Sequence, residues 1–170
     1  MLIKKDQYHY PLQKMKIKDN FLENSEFENI NKTFHLSNFP WYFMPFKVHE
    51  GDDNYQFYHL FIAKGKILSK HFDILHPILK KLGVKEIIRI KANLTLKQKE
   101  HIKSDMHVDF KNCKTAIFYL NTNNGYTLFD KGDKIHSQEN RVVEFDSNLK
   151  HCAVDHTDTK YRIVINFNYL

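Results

Sequence analysis

The chain is poor in the residues that interrupt or staple a fold: 170 residues hold only 2 cysteines, 4 prolines, 5 glycines and 1 tryptophan. Cys113 and Cys152 cannot build the disulfide framework of a small secreted domain, so a reducing cytosol is the expected compartment and both thiols read as small core residues. With so little Pro and Gly there is no linker, no low-complexity tract and no repeat, and one domain over residues 1–170 is expected. No run of eighteen apolar residues occurs, which excludes a membrane-spanning helix. The opening MLIKKDQYHY lacks the apolar stretch of a signal peptide. Arginine is also scarce: 3 Arg stand against 23 Lys, and the net charge of +6 is carried by lysines in short groups such as Lys97, Lys99 and Lys103. A nucleic-acid binder more often shows an Arg-bearing stripe with interleaved aromatics, so most of this charge reads as solvated surface. Against that background each arginine needs a reason.

What is present is an ordinary globular composition, 42% hydrophobic and 27% charged, arranged in two regimes. Residues 1–85 read as helical support. A helix is expected over 19–34, with Asp19 as N-cap and Phe21, Leu22, Phe27 and Ile30 on its apolar side. Phe39-Pro40-Trp41-Tyr42-Phe43 reads as an extended packing segment. A second helix opens at Ser69 and stops at Gly83, kinked or broken by Pro77. From residue 86 the period changes to two. Strands are expected at 86–94, 105–109, 114–121, 126–129, 133–137, 140–145, 149–154 and 160–169, separated by turns such as Asn123-Asn124-Gly125. Eight short strands in this spacing imply two packed antiparallel sheets: a mainly β double-stranded β-helix, or jelly roll, over 86–170, braced by the N-terminal helices.

Two strands alternate unusually. Arg89, Lys91 and Asn93 oppose Ile88, Ile90 and Ala92, and Arg162, Val164, Asn166 and Asn168 oppose Tyr161, Ile163, Ile165 and Phe167. Such faces either meet solvent or line a polar pocket. In a pocket, Arg89, Lys91 and Asn93 would need ligand, water or an acid such as Glu144.

The chemistry-bearing residues cluster in the β half. His-x-Asp occurs three times where composition alone gives about one. His71/Asp73 fall in a helix, where i and i+2 diverge, and His156/Asp158 fall in a polar turn. Only His107 and Asp109 sit in a strand context, where i and i+2 share a face. His151 opens a later strand. Two histidines and one carboxylate leave open coordination positions on an ion, the ligand set of non-haem iron(II) oxygenases, which makes His107, Asp109 and His151 the candidate metal ligands and catalytic centre. Arg162 follows His151 after ten residues, a hairpin's distance, and its guanidinium fork suits the far carboxylate of a dicarboxylic acid.

His-x-Asp, 41 residues, His, ten residues, Arg: this order resembles the iron(II)/2-oxoglutarate-dependent dioxygenases. Thr115-Ala116-Ile117-Phe118-Tyr119-Leu120-Asn121 resembles the strand after His-x-Asp in their prolyl 4-hydroxylase-like branch, and the hairpin around Gly125 and the strand Asn140–Asp146 follow suit. The resemblance covers roughly residues 86–170; the N-terminal half resembles short, phage-type versions. It implies iron(II), O₂ and 2-oxoglutarate as cosubstrate, with Tyr119 and Asn166 joining Arg162 on the cosubstrate. It also implies oxidation of a substrate, peptidyl proline being the first guess, with release of succinate and CO₂. Asn93-Leu94-Thr95 departs from the second Tyr often found before His-x-Asp. A basic groove beside the metal would favour oxidative demethylation of nucleic acid instead, and a missing ligand a non-catalytic binding or virion protein. No membrane partner is implied, and a phage-encoded chain would work in host cytoplasm. The lysine-rich segment Thr95–Asp105 adjoins the site as a lid or substrate contact.

Overall fold

The computed structural model describes residues 15–51 and 54–170. The reading of the opening residues falls mostly on 1–14, outside the described residues. Among the described residues the chain is mainly β, with two α-helices. In chain order the elements are β1 (Lys16–Lys18), α1 (Asn24–Phe34), β2 (Tyr42–Met44), β3 (Gln56–Ala63), β4 (Lys66–Ile67), a 3-10 turn (Phe72–Leu75) and α2 (His76–Leu82). They continue with β5 (Ile87–Leu96), β6 (Lys114–Tyr119), β7 (Tyr126–Phe129), β8 (Lys134–His136), β9 (Arg141–Asp146), β10 (His151–Val154) and β11 (Tyr161–Tyr169).

Two antiparallel sheets form. The larger runs β1-β9-β6-β11-β5-β3-β2, with β4 paired to β3; the smaller runs β10-β7-β8. Alternation along the strands divides the apolar residues between two cores. Ile90, Ala92, Phe118, Ile163, Ile165 and Phe167 on one face of the large sheet join Phe27, Ile30, Phe34, Leu75 and Ile78 from the helical segments. Ile117, Tyr119, Val143, Phe145 and Val164 on the opposite face meet Phe129, Ile135 and Leu149 between the sheets. Cys113 and Cys152 are buried free thiols. This is a jelly-roll-like arrangement, and the polar residues of β5 and β11 lie on the inter-sheet side.

The N-terminal half departs from the helical expectation. It contributes four strands, including the eight-residue β3, which pairs with β5 and extends the large sheet. Helix α1 starts five residues after Asp19, with Glu23 at its N-cap position. Asp19 instead accepts two hydrogen bonds from Arg141, Nε at 2.5 Å and Nη2 at 2.9 Å. Phe21 and Leu22 are held by Asn140: its carbonyl accepts from Phe21 N–H at 2.8 Å, and its side-chain amide exchanges bonds with Leu22 N–H and C=O, both 2.9 Å. The second helical segment is broken at Pro77, as one of the two expected outcomes had it: the 3-10 turn ends at Leu75 and Pro77 lies at the start of α2, where its missing N–H is harmless, and Gly83 ends the helix in the left-handed region at φ 66°. The expected strand over 105–109 is a single bridge at His107.

Candidate active site

The site grows from one local pairing. His107 and His151 are opposite each other in an antiparallel bridge and exchange both backbone hydrogen bonds, each 3.0 Å. Their rings lie 5.0 Å apart between centroids. Each ring holds its Nδ1 near a backbone carbonyl, His107 at 3.0 Å from Asp105 and His151 at 3.1 Å from Leu149. A carbonyl only accepts, so Nδ1 carries a proton, and in the neutral ring this tautomer leaves the Nε2 lone pair for a ligand. His151 is buried and wedged by Phe145 and Phe129 at centroid distances of 5.0 and 6.0 Å. Burial lowers its pKa despite the nearby Asp109 carboxylate, so the neutral ring is the resting form.

Asp109 sits with its Oδ1 3.8 Å from His107 Nε2 and 3.0 Å from Arg89 Nη2. The Arg89 contact is at ion-pair distance but is not aligned as a hydrogen bond, since that nitrogen has no bonded partner. Burial alone would raise the Asp109 carboxyl; Arg89, His151 and His107 outweigh it and hold the pKa below the ordinary value. The carboxylate is therefore ionised. Among the described residues no three His, Cys, Asp or Glu side chains converge tightly enough to hold an ion, and Asp109 is turned toward Arg89. Two free Nε2 lone pairs beside an ionised carboxylate are nevertheless a donor set that fits iron(II).

All three residues line a cavity of about 300 Å³ between the sheets. Arg162 and Asn166 from β11 line it too, with Arg89, Lys91, Asn93 and Thr95 from β5. The polar faces of these two strands thus meet the cavity. Register explains the grouping: Arg162 is opposite Thr95, Asn166 opposite Lys91, and Asn168 opposite Arg89. Arg162 is 3% exposed and its Nε donates to Ser137 Oγ at 2.7 Å. No carboxylate lies within 4.0 Å of its guanidinium among the described residues. Burial lowers its pKa from the usual arginine value, but an arginine so placed stays charged. Asn166 presents a buried Oδ1 with no hydrogen-bond partner among the described residues.

Tyr119 is different. It is wholly buried, its hydroxyl is 2.7 Å from Thr127 Oγ1, and Arg162 Cζ lies 5.7 Å over its ring. Thr127 reaches the cavity wall; Tyr119 stands behind it. Burial raises the phenol pKa, so it remains protonated. Glu144 is not an acid for the pocket. It bonds the Tyr169 hydroxyl and pairs with Lys16 and Lys114 at 3.6 Å each, on the helix side of the sheet.

Sequence reasoning missed Lys47, on the segment between β2 and β3, which lines the cavity and pairs with the buried Asp155. No local pattern marks a lone lysine in a connecting segment. It also undervalued Gly125. A Cβ there would come within 2.9 Å of Asn123 Oδ1, 3.0 Å of Arg162 Cδ and 3.1 Å of His156 Cβ, so only glycine lets the hairpin close on Arg162. His156 lies in the expected turn yet is wholly buried. The segment 95–105 is tied down rather than loose: Gln98 N–H reaches His156 O, Ser104 N–H reaches Ala153 O, and Asp155 N–H reaches Ile102 O, all at 2.9–3.0 Å.

No family model matches the chain, and no curated protein matches it in sequence. Solved structures do match its fold. An oxidoreductase of the 2OG-Fe(II) oxygenase family from Burkholderia pseudomallei superposes with a TM-score of 0.71 at 12% identity, covering 91% of this chain and 84% of its own. A prolyl hydroxylase from Trichoplax adhaerens, in complex with a hypoxia inducible factor oxygen degradation domain peptide fragment, gives 0.66 at 11% identity, covering 91% and 83%. A non-haem α-ketoglutarate-dependent carbocyclase from nogalamycin biosynthesis gives 0.67 at 12% identity, covering 92% and 79%. At these identities the likeness is one of fold: the fold is that of the 2OG-Fe(II) oxygenases, prolyl hydroxylases among them.

Proposed function

We propose that this chain is a single-domain iron(II)- and 2-oxoglutarate-dependent oxygenase, a double-stranded β-helix braced by its N-terminal helices. It converts a substrate C–H, 2-oxoglutarate and O₂ into a C–OH, succinate and CO₂. The observation that carries the reading is Arg162, a buried guanidinium with no carboxylate partner among the described residues, sharing one cavity with His107, Asp109 and His151. A buried charge without a counter-ion is strongly unfavourable, so an anion belongs there. A dicarboxylic keto acid supplies it while its other end reaches the histidine pair.

His107 and His151 would hold the ion through Nε2 and Asp109 through its carboxylate. When bound, iron(II) supplies O₂ activation and the oxidising power of the reaction. The chain's own contribution is positional. Arg162, oriented by Ser137 and stacked over Tyr119, fixes the far carboxylate of the cosubstrate; Asn166 and Thr127 offer hydrogen bonds along it. Arg89 keeps Asp109 ionised and oriented. Phe129 and Phe145 press on the His151 ring and keep water from that side. Peptidyl proline remains a substrate reading, supported by the prolyl hydroxylase neighbour and its peptide. Demethylation of nucleic acid and a non-catalytic role have no comparable observation behind them.

Anaerobic titration of 2-oxoglutarate into iron(II)-loaded protein tests the reading. Arg162→Met is expected to weaken binding by about 1.5–3 kcal/mol or more, the worth of a charge-assisted hydrogen bond, and Arg162→Lys to recover only part of it. Unchanged affinity in Arg162→Met ends the assignment.

A further inference from the structure

The cavity carries more positive charge than the proposed cosubstrate and metal use up. Four cations line it, Lys47, Arg89, Lys91 and Arg162, against one lining carboxylate, Asp109. Lys47 is neutralised by Asp155 just behind the wall. Arg162 takes the far carboxylate of 2-oxoglutarate. The remaining charges are the ion's two, opposed by Asp109 and the keto-acid carboxylate, and those of Arg89 and Lys91. Among the described residues Arg89's one carboxylate partner is Asp109, which is shared with the ion, and its guanidinium otherwise lies 4.9 Å over the Phe110 ring. Lys91 has no hydrogen-bond or ion-pair partner among the described residues, and its neighbour on the same strand face is Arg89. Two positive charges therefore stand in excess, side by side on β5 and half-buried in the cavity wall.

The rest of the β5–β11 floor has the same unfinished character. Among the described residues, Arg89 Nε and Nη2 are buried donors without hydrogen-bond partners, and Asn93 Oδ1 and Asn166 Oδ1 are buried and unbonded. Cross-strand register puts Asn166 directly beside Lys91, and Asn93 is Lys91's neighbour two residues along β5. Of these groups the Arg89 nitrogens are charged donors, as an oxyanion requires, while the two amide oxygens are acceptors that suit a donor beside it, such as the Lys91 ammonium or an acid's neighbouring hydroxyl. Like charges at i and i+2 on one strand face repel when nothing lies between them. An anion bound across Arg89 and Lys91 turns that repulsion into attraction.

We propose that the oxidised substrate is acidic, and that a carboxylate or phosphate of the substrate is held by Lys91 together with Arg89, next to the metal end of the cavity. This inference rests on the reading of the site as an iron(II)/2-oxoglutarate centre. It sets the substrate apart from a neutral prolyl side chain unless an acid group lies close to the oxidised carbon. The Arg89–Lys91 pair, on the strand that precedes the candidate ligands, becomes the specificity determinant.

The test uses the full chain, anaerobic and loaded with iron(II). Binding of 2-oxoglutarate is measured first, to wild type, Lys91→Met and Lys91→Arg. With 2-oxoglutarate then saturating, acetate, methyl phosphate and neutral acetamide are titrated separately, followed by calorimetry and by melting temperature. Wild type is expected to bind acetate or methyl phosphate but not acetamide; the tighter of the two anions identifies the acid group. Lys91→Met should weaken that binding at least about tenfold while still binding 2-oxoglutarate, and Lys91→Arg should keep it. A melting temperature of Lys91→Met at or above wild type excludes misfolding as the cause. The inference is overturned if neither anion binds, or if Lys91→Met binds it as well as wild type. It is also overturned if Lys91→Met loses 2-oxoglutarate affinity as Arg162→Met does, since Lys91 then serves the cosubstrate. Failure of wild type to bind 2-oxoglutarate at all is read in the first step; it removes the underlying site assignment and this inference with it.

Discussion

Single residues in this chain do work that their sequence neighbours do not announce. Asp19, expected to cap a helix, holds Arg141 instead, and that bidentate contact, assisted by the guanidinium charge, outweighs partial burial and lowers its pKa. The sign follows: stability from this pair is present above the unfolded carboxyl value of about 3.9 and is lost as pH falls through the lower folded value. Because Asp19 is 44% exposed, Asp19→Asn should cost less than about 1 kcal/mol at pH 7 and nothing in strong acid, by urea unfolding at both pH values. Lys91 carries the opposite lesson. Burial first, then Arg89, pushes its pKa down to about 8 against the partial help of Asp109. Its folded value lies below its unfolded value, so the protein is less stable where lysine is charged in both states. Without ligands, Lys91→Met should raise the melting temperature below pH 8, and the gain should shrink toward pH of about 10.4. A melting temperature that falls in Lys91→Met would contradict this burial. Arg162 was legible because arginine is rare here and stands at a telling distance from His151; Lys47 was not, because nothing local distinguishes it among 23 lysines.

At the scale of elements, period-two alternation made β5, β6, β7, β9, β10 and β11 readable within a few residues. The same criterion hid β3. Its sequence QFYHLFIA is nearly all apolar or aromatic, and a register shift between Leu60 and Ile62 breaks whatever alternation it has. The expected strand at 105–109 contracts to one bridge because within it the chain pairs with β10 only at His107; the other bridge to β10, Lys103 with Val154, falls before it. The hairpin of β7 and β8 is more than a connector. Gly125 lets it approach Arg162, and Ser137, whose N–H donates to Gly125 O, accepts from Arg162 Nε. Gly125→Ala is therefore expected to weaken 2-oxoglutarate binding several-fold, since the added carbon must displace Asn123 or the Arg162 stem. Calorimetry reads the affinity, and an unchanged value with an unchanged fold would show that the close approach is dispensable.

At the scale of the whole molecule, the large sheet separates two cores with different duties. Phe118 belongs to the helix-side core, its ring 6.2 Å from both Phe21 and Phe27. Phe145 belongs to the inter-sheet core and touches the His151 ring. Truncating either to Ala should cost about 3–5 kcal/mol in denaturant unfolding. Only Phe145→Ala should also lower metal affinity, because it frees a ligand's ring; equal metal affinities in the two variants would dissociate packing from the site. The mutual backbone bonds between His107 and His151 carry a further consequence. They tie off the long excursion of chain through β6 to β9, so loop closure is settled on folding rather than when an ion arrives. A chelator should then strip the metal and leave circular dichroism and amide protection at His107 and His151 intact, unlike a zinc finger, where the ion is the fold.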